Sequence, residues 1–191
     1  MIITLQDAQL IDPNITQERL DAYESAIRQL TNNNFQVLTA RSIGATFEGA
    51  LVTFDDPTPP SLKRKQDEAL LKSVQVGDTV QINDAGTNDG LYVIEGIELP
   101  NQIILNRPVR RNGHMPRAIV TWVNYPSDIA EGVRRLIAYD KRMLNKMGVR
   151  SESISRMRLD YYDTNAGNVL NGYPAILMGF IHKYIKIKWG G

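Results

Sequence analysis

The apolar residues of this chain change period twice. From Leu5 to Leu30, and again from Ile129 to Met147 and from Ile176 to Tyr184, they recur at helical spacing, whereas between Phe35 and Asn124 the repeat falls towards two. Helical stripes must be buried against one another, and an alternating segment must bury one face of a sheet, so a single uniform layer is excluded. The fold class read from this pattern is α+β: a small helical bundle formed by residues 1–35 and 125–191, interrupted by an inserted antiparallel β barrel or sandwich module at residues 36–124. A length of 191 residues suits one domain carrying an insertion, or at most two compact lobes.

Thr4 stands at an N-cap position before Leu5, Ala8 and Ile11, and Asp12-Pro13 ends this first helix. Thr16 caps a second, whose Leu20, Tyr23, Ile27 and Leu30 form an apolar stripe and which stops at Thr31-Asn32-Asn33-Asn34. Within the β module, Val76–Ile82 and Gly90–Glu98 flank the turn-rich residues 83–90, and Gln102–Leu105 and Ala118–Val123 add strands. Gly44–Phe54 alternates less regularly, and the prolines of residues 55–60 mark a loop before a polar segment, residues 61–73, that reads as a short helix or an excursion. Ser127 caps the longest helix, with Asp128 and Glu131 in its first turn, Ile129, Val133, Leu136, Ile137, Leu144 and Met147 as its buried stripe, and Gly148 as its C-cap. Ser155–Tyr162 reads as an extended arm and residues 165–172 as a loop. Pro174 then opens a last helix with Ile176, Leu177, Phe180, Ile181 and Tyr184 on its apolar face.

The chemistry-bearing residues are few. There is no cysteine, which excludes disulfides, thiolate nucleophiles and cysteine-based zinc sites. Two histidines, His114 in a loop and His182 in the last helix, lack a carboxylate or second histidine at ligand spacing, and no Gly-x-Ser-x-Gly elbow accompanies them. Residues 86–90 lack the Gly-Lys-Ser/Thr ending of a phosphate loop and read as a hairpin turn. Asp84, Asn88 and Asp89 match no calcium loop, and turn chemistry explains them. No catalytic, metal or cofactor site is expected. The N-terminus carries no basic segment followed by an apolar run, and no stretch approaches the ~18 apolar residues of a membrane span, so an unprocessed product made in the cytoplasm, without membrane contact, is expected.

Charge is distributed unevenly. Residues 1–106 carry 7 basic and 15 acidic side chains, a net of −8, and residues 107–191 carry 15 basic and 6 acidic, a net of +9. The halves neutralise one another in a monomer or pair with a neighbour in an assembly. Arg107, Arg110, Arg111 and Arg117 cluster at the end of the β module. Lys183, Lys186 and Lys188 accompany Tyr184 and Trp189 at the C-terminus, combining charge with rings as single-strand binders do. A nucleic-acid-binding protein using a small OB- or SH3-like barrel with a basic rim is therefore the alternative function.

Four segments carry a resemblance. ITLQDAQL and ITQERLDAYESAIRQL at the front, then SDIAEGVRRLIAYDKRMLNKMGVRSESISRMRLDYYD and GYPAILMGFIHKYI at the back, follow the order seen in the head-to-tail connector (adaptor, or head-completion) proteins of tailed bacteriophages. The sequence resembles that family over roughly half its length, and Ser151-Glu152-Ser153-Ile154-Ser155 with the alternating residues to Tyr162 is the most specific part. The ~90-residue β module departs from the simpler members. The resemblance implies a structural virion protein rather than an enzyme. It would sit at the virion neck as a ring, expected to be a dodecamer, that docks beneath the portal protein, extends the channel through which genome DNA passes without sequence-specific binding, and offers a platform to the downstream neck or tail-completion protein. The residues it marks for contact with the portal or a neighbour are Ser151, Glu152, Ile154, Arg156, Arg158, Tyr161 and Tyr162 on the arm, and Tyr184, Lys186, Lys188 and Trp189 on the tail.

Overall fold

The computed structural model describes residues 1–55, 69–98, 101–143, 151–154, 157–160 and 169–187. The chain forms two compact units: Met1 with Asn34–Asn124, and Ile2–Asn33 with Tyr125–Gly191. Helix and strand are mixed as the two periods predict.

Six antiparallel strands make the first unit: β1 (Gln36–Glu48), β2 (Leu51–Phe54), β3 (Thr79–Asn83), β4 (Gly90–Glu98), β5 (Gln102–Leu105) and β6 (Gly113–Val123). Their order is β1-β2-β5-β4-β3-β6, and β6 pairs with both β3 and β1, so the pairings close into a barrel. Alternation supplies the interior. Phe47, Val52, Val80, Ile82, Ile103 and Val120 are fully buried there. A short helix between β2 and β3, α3 in chain order (Ala69–Ser73), packs on β1 and β6 and lays Leu70 into the same core.

The strands differ from their sequence pattern in three places. Gly44–Phe54 is not one segment: Gly49, at φ 61, turns the chain between β1 and β2. β1 begins as early as Gln36, and register shifts between Gln36 and Arg41 and between Ile43 and Ala45 blur its alternation. β6 begins at Gly113 rather than Ala118, because Pro116 falls in the gap between the Ile43–Ile119 and Ala45–Met115 pairs, where a missing N–H does no harm. His114 therefore lies on a strand, not in a loop, and its Nε2 is 2.9 Å from Asp55 Oδ2.

The second unit contains α1 (Leu5–Ile11), α2 (Gln17–Thr31), α4 (Ser127–Met143) and α5 (Ala175–Met178), the last running into a 3-10 turn at Gly179–Tyr184. Thr4 and Thr16 cap the first two helices as expected, accepting from the backbone N–H groups of Asp7 and Arg19. Asn32 closes α2 in the left-handed conformation. α4 packs on α1, α5 and the 3-10 turn, and α2 packs on that turn. The expected C-cap of the long helix, Gly148, and its Leu144 and Met147 lie outside the described residues.

The last helix is shorter than its stripe implied. Only four residues are α-helical before Gly179, which weakens helix propagation; α5 buries Met178 at its end, and the tighter 3-10 turn that follows buries Ile181, three residues on. Ile176, placed on the apolar face by helical spacing, is 86% exposed.

Candidate assembly surface

Three polar clusters hold the helical unit together. One oxygen of Asp140, on α4, accepts from Arg19 and Tyr23 of α2 and, at 2.9 Å, from the Tyr173 hydroxyl. Tyr173 also meets Tyr139 edge to face at 6.0 Å. Burial first, and hydrogen bonding to Asp140 second, push the Tyr173 hydroxyl up to about 12 and raise Tyr23 in the same direction. The hydrogen bond to Asp140 likewise raises Arg19. Hydroxyls held protonated in this way are donors to a carboxylate, not bases.

The second cluster joins α2 to the start of α4. Tyr125 donates to Glu24 at 2.7 Å and accepts from Arg28 at 3.1 Å, and burial followed by the Glu24 charge raises the Tyr125 hydroxyl. The third sits at the N-terminus of α4: Asp128 is 2.5 Å from Lys183 Nζ and accepts from the Tyr184 hydroxyl at 2.5 Å. Lys183, then Tyr184, lower the Asp128 carboxyl, and Asp128 in turn raises Lys183.

The tail residues are tied back to the end of α2. Lys186 donates its backbone N–H to Thr31 O at 2.7 Å, and the side chains of Asn32 and Asn33 donate to Lys186 O and Tyr184 O. Those asparagines both terminate α2 and anchor the segment after Tyr184. The side chains beyond remain outward: Ile185 is 52% and Ile187 80% exposed, and Lys186 between them is exposed as well. Of the expected tail contacts, Tyr184 is engaged with Asp128, and Lys188 and Trp189 lie outside the described residues.

The described part of the Ser155–Tyr162 arm, Met157–Asp160, is extended as expected, and it forms one strand of a hairpin. β7 (Ser151–Ile154) pairs antiparallel with β8 (Met157–Asp160), in a register that sets Ser151 opposite Asp160, Glu152 opposite Leu159, Ser153 opposite Arg158 and Ile154 opposite Met157. Ser151, Glu152, Ile154 and Arg158 thus share one hairpin, while Arg156, Tyr161 and Tyr162 lie outside the described residues. A second, shorter pair, β9 (Val169–Leu170) and β10 (Tyr173–Pro174), leads into α5 and carries Tyr173 to Asp140.

No family model matches the sequence, and no curated protein does. Among the described residues no three histidine, aspartate or glutamate side chains stand close enough to hold a metal ion, and no helix is long and apolar enough to cross a membrane. Two polar side chains of the Asp84–Asp89 turn bond to backbone: Asp89 accepts from Ala85 N–H at 2.7 Å, and the Asn88 side chain pairs with the backbone of Arg111. Sequence spacing missed the Asp140 cluster, because its partners come from positions 19, 23 and 173 and no local pattern joins them. A polar Asp140 beside the α4 stripe, with tyrosines at i−1 and far away, was its only trace.

Proposed function

We propose that this protein is a structural subunit of the head-to-tail connector of a tailed bacteriophage, assembling as a ring at the virion neck beneath the portal protein. What supports the reading above all is the organisation of the helical unit. Segments before residue 34 and after residue 124 belong to one compact body, and a hairpin at Ser151–Asp160 lies in sequence between its longest helix and its last helical turn. That is the element order the resemblance requires, with the β module accommodated as an insertion between elements of one unit. A rigid body stitched by polar clusters, carrying a hairpin and a short outward segment with Ile185 and Ile187, suits a docking platform: strands and apolar side chains add to a partner while the helices hold them in place. The partners proposed are the portal, further copies of this chain, and the downstream neck or tail-completion protein. DNA would traverse the ring, and no reaction is assigned.

The test is co-purification with the portal protein of the same phage, followed by native mass spectrometry of the complex. A ring with several copies per portal is expected, and charge reversal at Arg158 together with Glu152 should weaken it at least tenfold. Failure of the full-length chain to bind its portal at any concentration would sink the proposal.

A further inference from the structure

The connection between β5 and β6, residues 106–112, is exposed yet fixed at almost every step. Asn106 donates its N–H to Val93 O, and its side chain accepts from Val93 N–H at 3.0 Å. Val109 is buried in the barrel core and donates to Gly49 O at 2.8 Å, and Asn112 accepts from Gly49 N–H at 2.9 Å. Asn88, with no exposed surface, clamps the Arg111 peptide from both sides: its Oδ1 accepts from Arg111 N–H at 2.8 Å and its Nδ2 donates to Arg111 O at 2.7 Å.

This pinned backbone presents Arg107, Arg110 and Arg111 to solvent, with Arg117 exposed further along β6. Arg107 lies over the Tyr92 ring at 4.9 Å and donates to Leu91 O. Between Glu98 and Asp128 the sequence has these four arginines and no carboxylate. Among the described residues no carboxylate pairs with Arg110, Arg111 or Arg117. The exposed acids of the Asn88 turn are Asp84 and Asp89, and Asp89 is turned back onto Ala85 N–H. Asp55 is held by His114.

We infer that this connection, with Arg117, is a contact surface for the phosphate backbone of double-stranded nucleic acid, read without regard to sequence. Guanidinium forks bind phosphate oxygens in pairs, and a loop already fixed loses little conformational freedom on binding. A protein partner fits less well. Protein interfaces gain most of their energy from a buried apolar or aromatic centre, and the exposed large apolar residues of the barrel unit, Leu38, Ile43 and Val76, are not on this loop. A single strand fits less well too, because Tyr92, the ring beside Arg107, is 5% exposed and offers no stacking platform. The inference does not rest on the connector reading, since it concerns the barrel alone.

Fluorescence anisotropy of a labelled 30-base-pair DNA duplex with the full chain tests it. Three phosphate contacts give a slope of log affinity on log salt of about −2.7, hence a loss of roughly 40-fold between 50 and 200 mM NaCl. The double variant Arg110→Gln/Arg111→Gln, whose side chains hold no contact the barrel needs, should bind at least tenfold more weakly at 50 mM, with the slope reduced by about 2. Circular dichroism and melting temperature matching the parent protein establish that the variant is folded. Absence of duplex binding at 50 mM, or an unchanged slope in the folded variant, overturns the inference. Competition by poly-glutamate as effective as that by unlabelled duplex overturns it as well, and assigns the loop to an acidic protein surface. Portal binding is measured separately, so its failure leaves this result standing.

Discussion

The barrel and the helical unit are stabilised by different kinds of contact. The centre of the barrel is a contiguous apolar cluster, contributed mainly by inward strand residues and by Leu70 and Val74 in and just after α3, with Ser42, Thr79, Asn88 and Thr121 the buried polar residues among those described in that unit. In the helical unit the apolar faces of α2 and α4 are joined by polar clusters, with Glu24 buried and Tyr23 buried apart from its bond to Asp140. The first kind of core tolerates exchange of one apolar residue for another of equal volume; the second depends on particular atoms meeting at particular distances.

Phe47→Ala should have the largest effect. The ring is wholly buried on β1, and its loss leaves a cavity costing about 3–5 kcal/mol. Amide exchange read by mass spectrometry should speed up across β1–β6 while α2 and α4 keep their protection. Loss of protection in the helices to the same extent would mean that the two cores unfold as one, and the contrast between them would fail.

Asp140→Ala attacks the polar core instead. It strands two mostly buried hydroxyls that had shared a carboxylate, at about 2–3 kcal/mol, with the half-exposed Arg19 adding little. Alkali should act on the same cluster. The folded state raises Tyr173 from 10.0 to about 12, and Tyr23 in the same direction, so the stabilisation from their protonated hydroxyls is full below pH 10 and fades as pH rises towards 12. Tyrosinate absorbance followed with helical circular dichroism should show ellipticity falling over that window, earlier in Asp140→Ala. Helices that persist unchanged to pH 12 would refute the role given to this cluster.

Gly132→Ala should cost about 2 kcal/mol, although alanine is the better helix former. A Cβ at Gly132 would overlap the Phe180 ring, so that ring, on the terminal 3-10 turn, rests directly on the α4 backbone. Thermal melting tells overpacking from propensity: a rise in melting temperature would mean that Phe180 does not sit there.

These sites were unequally visible in the sequence. The barrel strands at Thr79–Asn83, Gly90–Glu98 and Gln102–Leu105 follow from alternation, because burying one face of a strand leaves a local record every second residue. β1 was half hidden, because its register shifts break that record. Phe180 was legible as apolar, but not its seat on Gly132, and Asp140 was legible only as an acid on a helix. Contacts between residues 19, 23, 140 and 173 are set by how α2, α4 and the β9–β10 turn meet, and nothing local encodes it. Of the candidate contact residues, the extended patterning read at Ser155–Tyr162 foreshadowed the strand Met157–Asp160, whereas its pairing with Ser151–Ile154 and the capture of Tyr184 by Asp128 were not legible.

The smallest expected effect is the one most fully written in sequence. Thr16→Ala removes the hydroxyl that accepts from Arg19 N–H at the start of α2, which should cost about 1 kcal/mol. The same variant probes what the polar core depends on, because α2 carries Tyr23, Glu24 and Arg28, members of two of the three clusters. If those clusters hold the helix independently of its cap, fraying should stop within the first turn, and exchange should accelerate only before Leu20. If instead acceleration reaches Ile27, the polar clusters depend on the helix rather than sustaining it, and the order of cause assigned to the helical unit must be reversed.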